Sequence, residues 1–140
     1  MNDEALFAAF TSSTLPASDW HHESHLRVAF LHLARWGLDE AHLRMRVGIV
    51  RLNAFHGLEE TPERGYHETM TRTWLALVAH ARSEGRVDGG SEAFLAAHPE
   101  LLDKKLPLQF YRRDTLMSLR ARTIWVEPDL LPLPMTTASG

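Results

Sequence analysis

The chain contains no cysteine. That absence excludes disulfides, thiolate metal sites and cysteine nucleophiles, and it fits a reducing compartment. No apolar run approaches the roughly 18–20 residues of a membrane span. There is no basic surplus either: 15 Lys and Arg stand against 18 Asp and Glu, for a net charge of −3. A general nucleic-acid binder would show the opposite balance. The start, "MNDEALFAAFTSS", carries acid where a signal peptide carries base. The expectation is a cytoplasmic protein with no membrane or nucleic-acid partner. G-x-S-x-G, the phosphate loop and the dinucleotide fingerprint are all missing, and "VDGGSE" reads as a turn. Covalent catalysis and nucleotide hydrolysis are disfavoured accordingly.

Histidine is in excess. Nine in 140 residues is about 6%, against a usual share of about 2%. Four of them fall in "DWHHESHLRVAFLHLARWG", residues 19–37. Histidine is the commonest metal ligand and the usual acid or base at neutral pH. Solvated surface positions are the plain alternative.

The pattern along the chain is helical throughout, and 140 residues suit one domain. Asp3 is placed to cap a first helix that Pro16 ends. Ser18 or Asp19 caps a second, which runs to about Trp36 and stops at Gly37. Asp39 caps a third, closed by Gly57. A fourth starts near Arg64 or Tyr66 and ends at "SEGRVDGG". One or two short helices follow Ser91, broken at Pro99 and Pro107, and Asp114 caps one more. The Pro-rich tail from about residue 127 reads as extended, fraying at its end. The fold class is all-α: one helical bundle of five to six helices over 1–140.

Each helical residue turns the chain about 100°. His22, Leu26, Ala29, Leu33 and Trp36 then share one core-facing stripe, and His25 converges with His22 at i,i+3. His21 and His32 fall nearer the stripe's edge, where water reaches them. In the fourth helix His67 begins the stripe of Met70, Trp74, Leu77, Val78 and Ala81. Thr71 lies on its side, and Glu68 points away. Short connections favour antiparallel neighbours, so the second and fourth helices start at one end of the bundle. The third helix delivers His56 to the same end. His22, His25, His56 and His67 are therefore expected at one rim, near Glu59, Glu60 and Glu63.

The stretches "WHHESHLRVAFLHL", "LNAFHG", "GYHETMTRTWL" and "VEPDLLPLP" carry a resemblance over most of the chain. It resembles a group of small bacterial proteins of unknown function. These have an H-x-x-H-L helix, a Y-H-E-T helix start and a P-D-L-x-P-L-P tail. The resemblance implies that the positions of His22, His25, Tyr66, His67, Glu68 and Thr69 belong to the group's pattern, and it implies no activity. A looser likeness, to the DinB-like metal-binding four-helix proteins, rests on a bundle with three histidines.

Three chemistries suit such a rim. In the first, His22, His25 and His67 hold a divalent metal, zinc before iron, nickel or manganese, and leave a position open for water. His56, Glu68 or a loop glutamate would then be a fourth ligand or a supporting partner. Tyr66 and Glu68 would be the acid and base of a hydrolase or lyase acting on a small molecule. Equally, Tyr66 is a core aromatic with its hydroxyl at the rim.

In the second, two helix N-termini with the hydroxyls of Ser24, Thr69 and Thr71 form an anion site without metal, where histidine and Arg64 hold the phosphate or carboxylate group of a small molecule. The third concerns the third helix, which is apolar on two sides: Leu43, Val47, Val50 and Ala54, and opposite them Met45, Ile49 and Leu52. A helix buried at the bundle's centre accounts for this, as does a homodimer face. Trp20, Trp36, Trp74 and Trp125 read as core anchors, with Trp20 also walling the pocket. Arg120 and Arg122 are placed to fasten the tail through Glu127 or Asp129.

Overall fold

The computed structural model describes residues 1–85 and 88–134. Among them are seven α-helices and no strand: α1 Asp3–Thr11, α2 His22–Leu33, α3 Leu38–Phe55, α4 Glu68–Ser83, α5 Gly90–Ala97, α6 Arg113–Leu116 and α7 Leu119–Thr123. Single-turn 3-10 helices lie at Ala17–Asp19, Pro99–Leu102 and Leu106–Gln109. The late helix expected from Asp114 is two helices, because Ser118 ends one and caps the next through Oγ and the Ala121 N–H. No helix of the described residues is long and apolar enough to cross a membrane.

The central helix is α2 rather than α3. It packs on α1, α3, α4 and α5, and Leu26, Val28, Ala29, Leu31 and Leu33 are all buried. His32, expected near water, is 1% exposed. The reason is α1, which covers the back of α2: His32 lies 5.3 Å from the Phe7 ring and 5.5 Å from Phe10. Its Nδ1–H donates to the Val28 carbonyl at 2.8 Å. The third helix buries Ala41, His42, Met45, Ile49, Leu52 and Asn53 on one side, while Leu43, Val47, Val50 and Ala54 are exposed.

Direction follows from four contacts. The His22 ring meets Trp74 at 4.6 Å near the starts of α2 and α4. Arg82 reaches the Leu33 carbonyl at 2.9 Å near their ends. The two helices therefore run in parallel. Arg72 of α4 pairs with Asp39 at 2.9 Å, and Arg46 pairs with Glu68 at 2.5 Å, so α3 runs against them.

Local chemistry fixes the ends. Asn2 caps α1, its Oδ1 accepting from the Ala5 N–H at 2.8 Å. Asp3, expected in that role, instead accepts from the Ser91 N–H at 2.9 Å, from the Ser91 hydroxyl, and from Arg27 at 3.1 Å. Arg27 is a buried cation on α2, so a carboxylate opposite it relieves an uncompensated charge. Burial opposes ionisation of Asp3, but the Ser91 hydrogen bonds and Arg27 hold its carboxyl below the usual range. Together these bonds tie α1 to α2 and α5.

The tail over residues 125–134 is non-helical, with bends at 129–131, and is tied back to the body. Tyr111 donates its hydroxyl to the Val126 carbonyl at 2.6 Å, and Leu130 N–H donates to the Phe110 carbonyl at 2.9 Å. Asp129 accepts from the Arg112 N–H at 2.8 Å and from the Thr115 hydroxyl, so Arg120 and Arg122 are not its partners. The expected fraying falls on residues 135–140, outside the described residues.

Gly48 lets α1 seat on α3. A Cβ at this position would stand 2.3 Å from the edge of the Phe10 ring, which is 1% exposed. Gly48→Ala gains up to about 1 kcal/mol of helix propensity but overpacks the core, at about 1–3 kcal/mol. Chemical denaturation should show net destabilisation, partly recovered when Phe10→Leu is added.

Candidate functional site

Parallel α2 and α4 bring their first turns to one cavity of about 390 Å³. Its walls are Leu26, Ala29, Met45, Ile49, Met70, Trp74 and Leu75, and its polar lining is His22, His25, Tyr66, His67, Thr71 and Lys104. Three of the four expected histidines thus meet at one place.

His56 does not join them. The cavity touches α3 at Met45 and Ile49. His56 lies seven residues beyond Ile49, about 10 Å along a helix. Its Nε2–H donates to the Leu15 carbonyl at 2.7 Å. The loop acids also lie outside the lining. Glu60 accepts from the Tyr66 N–H at 2.7 Å and from Asn53 at 3.3 Å. In doing so it fills the space that a side chain at Gly65 would need, where the backbone has φ +108°.

His67 is the cap of α4. Its Nδ1 accepts from the Met70 N–H at 3.0 Å, and its Nε2–H donates to the Leu116 carbonyl at 2.8 Å. Both ring nitrogens are therefore committed and the tautomer is fixed. His22 donates Nε2–H to the Leu101 carbonyl at 2.9 Å, which leaves the Nδ1 lone pair without a partner among the described residues. His25 stacks on Trp20 with ring centroids 3.6 Å apart, and neither of its nitrogens has a protein hydrogen bond among the described residues. Among those residues the one fully buried side-chain polar atom lacking a partner is Thr73 Oγ1. The free nitrogens of His22 and His25 consequently open onto accessible space.

Burial keeps these rings neutral. Desolvation lowers the pKa of His22 and His67, against the opposing pull of their carbonyl partners. His25 has no such partner, and desolvation, aided by His22, takes it down to about 3.

Tyr66 and Glu68 belong to a second cluster behind the cavity wall. Glu68 Oε1 accepts from the Tyr66 hydroxyl at 2.6 Å, from His42 Nε2–H at 3.0 Å and from Arg46 Nε at 3.1 Å, and Oε2 takes Arg46 Nη2 at 2.5 Å. Burial works against the charge on Glu68, but Arg46 and Tyr66 hold its pKa below the ordinary value. Tyr66 is pushed well above the usual phenol, by burial first and then by its bond to Glu68. His42 stays neutral because burial outweighs Glu68, and its Nδ1 faces the Arg72 guanidinium at 3.4 Å. Glu68 is saturated with donors and Tyr66 already gives its proton to it. The pair positions this side of the cavity, with the Tyr66 hydroxyl in the lining and its proton directed to Glu68. The sequence signal for this cluster was His42 and Arg46 at i,i+4 on one face of α3, matched to an acid at the start of α4. Lys104, in the loop before Leu106, carried no signal at all.

The donor set also decides what fits. Among the described residues no three His, Asp or Glu side chains form a group able to hold a metal ion. With His67 fully committed, two imidazoles remain, so the arrangement does not supply a three-histidine centre. The hydroxyls for an anion site are engaged as well. Ser24 accepts from the His21 N–H at 2.8 Å, and Thr71 donates to the His67 carbonyl at 2.8 Å. Thr69 donates to the Ile124 carbonyl at 2.8 Å and accepts from the Val126 N–H at 3.1 Å. Arg64 is exposed outside the lining, and Arg122 spends its guanidinium on the Glu63 and Gly65 carbonyls at 3.3 and 3.2 Å. Lys104 is the cation at the cavity.

No family model, curated protein or solved structure matches the chain.

His25 gives a pH signature. Its folded pKa lies below the unfolded value of 6.5, so the unfolded state binds more protons as pH falls through that window. Stability is full above pH 6.5 and declines toward pH 3, by up to about 1.4 kcal/mol per pH unit from this group. Urea denaturation between pH 7 and pH 4 should show a shallower decline for His25→Phe than for the wild type. Equal slopes would mean that His25 is not held neutral by burial.

Proposed function

We propose that the protein binds a small, mostly apolar molecule with one hydrogen-bonding head, in the cavity between α2, α3 and α4, without a metal ion. The observation that carries this reading is the unpartnered His25 beside the free Nδ1 of His22, on an otherwise apolar wall. A cavity of about 390 Å³ lies within the usual range for small-molecule sites, which are mainly apolar with a few placed polar groups. Neutral His25 offers one N–H and one lone pair, and His22 Nδ1 offers a second lone pair. Met45 and Met70 supply adaptable walls. Lys104, exposed at the cavity's edge, favours a head of negative charge.

A metal-dependent hydrolase is the weaker reading, since His67 would have to break two hydrogen bonds and release the cap of α4 to become a ligand. Trp74 in the lining and Trp20 behind His25 provide fluorescence reporters. Titration with 8-anilinonaphthalene-1-sulfonate in EDTA should give saturable binding at one site. Ala29→Leu, which fills the cavity, should abolish it, and His25→Ala should weaken it about tenfold. Binding that needs added zinc, or that survives Ala29→Leu unchanged, would overturn the proposal.

A further inference from the structure

The outer face of α3 carries a second message. Leu43, Val47 and Val50 are 52%, 40% and 41% exposed. With exposed Ala54 they follow i, i+4, i+7, i+11, a single straight stripe. The cavity lies on the other side of the helix, at Met45 and Ile49, so this stripe is no part of that site. It forms a ridge with a cleft on each flank. One cleft, of about 720 Å³, runs along Phe10, Trp36, Leu43 and Val47. The other, of about 740 Å³, runs along Val50, Pro62 and Leu119, and Leu119 is itself 54% exposed. A ridge between two clefts is a shape that fits a copy of itself.

Charge selects the orientation. Asp39 and Glu40 stand at the start of the stripe, and Arg51 stands near its end with no partner among the described residues. Glu40 is shared with Arg44 at 2.8 Å, and Arg44 lies over the Trp36 ring at 4.0 Å. We propose that this face joins two copies of the chain through an antiparallel α3–α3 pair about a two-fold axis near Val47. Such a pair lays Leu43 of each copy beside Arg51 of the other. Glu40 is then one turn away, about 4.5 Å along the axis, within reach of a long side chain. The helix dipoles oppose one another favourably. A parallel pair would set acid on acid and base on base.

A C2 interface is self-complementary, so each substitution acts twice. Sedimentation equilibrium from roughly 5 to 500 µM should show a monomer–dimer equilibrium for the wild type. Val47→Glu should leave a monomer with an unchanged circular dichroism spectrum. Arg51→Glu should raise the dissociation constant at least about tenfold, and Glu40→Arg added to it should restore most of the affinity. A wild type that stays monomeric throughout overturns the proposal, as does a dimer indifferent to Val47→Glu. Loss on Arg51→Glu without rescue overturns the antiparallel arrangement. Sulfonate-probe binding in the cavity should be the same for all variants, so the two sites are tested separately.

Discussion

One imidazole, that of His67, holds the cavity end of the molecule together. It stands where α4 begins, and it satisfies an N–H of the first turn with one nitrogen and the Leu116 carbonyl with the other. A helix start leaves four N–H groups without intrahelical partners, and a side chain seldom meets one of them while also binding a distant segment. Here the same ring starts the helix, anchors the segment that precedes α7 and forms part of the cavity wall. The loop before it is pinned from both sides, by Glu60 on the Tyr66 N–H and by Arg122 on the Glu63 and Gly65 carbonyls. Tyr66 is thereby set between the cavity and the Glu68 cluster.

From that constraint follows the division of labour among the polar residues. On the α3 side Glu68, Arg46, Arg72 and Asp39 neutralise one another, and Lys104 is the cation of the cavity lining. The imidazoles of the cavity lining have their pKa lowered by desolvation. A neutral imidazole can both donate and accept, and it costs far less to bury than an ion. His22 spends its donor on Leu101, His67 spends both of its sites, and His25 spends neither. The cavity therefore presents a small polar corner on an apolar surface.

Much of this arrangement was legible in the sequence, for identifiable reasons. Period-3.6 patterning placed His22 and His67 on inward stripes with His25 beside His22 at i,i+3, and short connections made α2 and α4 parallel. That alone brought three histidines to one cavity. What escaped was set by length and by tertiary cover. Nothing local shows that α3 passes the cavity by two turns and carries His56 to Leu15. His32 looked half wet because periodicity reports one helix at a time, and α1 closes over its far side. Asp3 resembled a cap because Asn2 and Asp3 are equally good cap residues, and only Ser91 and Arg27, distant in sequence, separate them. The double apolar face of α3 suggested a central helix, yet α2 took that place and left Leu43, Val47 and Val50 outside.

The account rests on histidines held neutral, with fixed tautomers, by burial in an apolar site. Nitrogen-15 NMR of the imidazole side chains, recorded in EDTA from pH 7.5 to pH 5, tests this most directly. The account predicts that His25 remains neutral across the whole range, and that neutral His67 is the Nε2–H tautomer, with its pKa below the ordinary value. A His25 that titrates near 6.5, or a His67 carrying its proton on Nδ1, would contradict it.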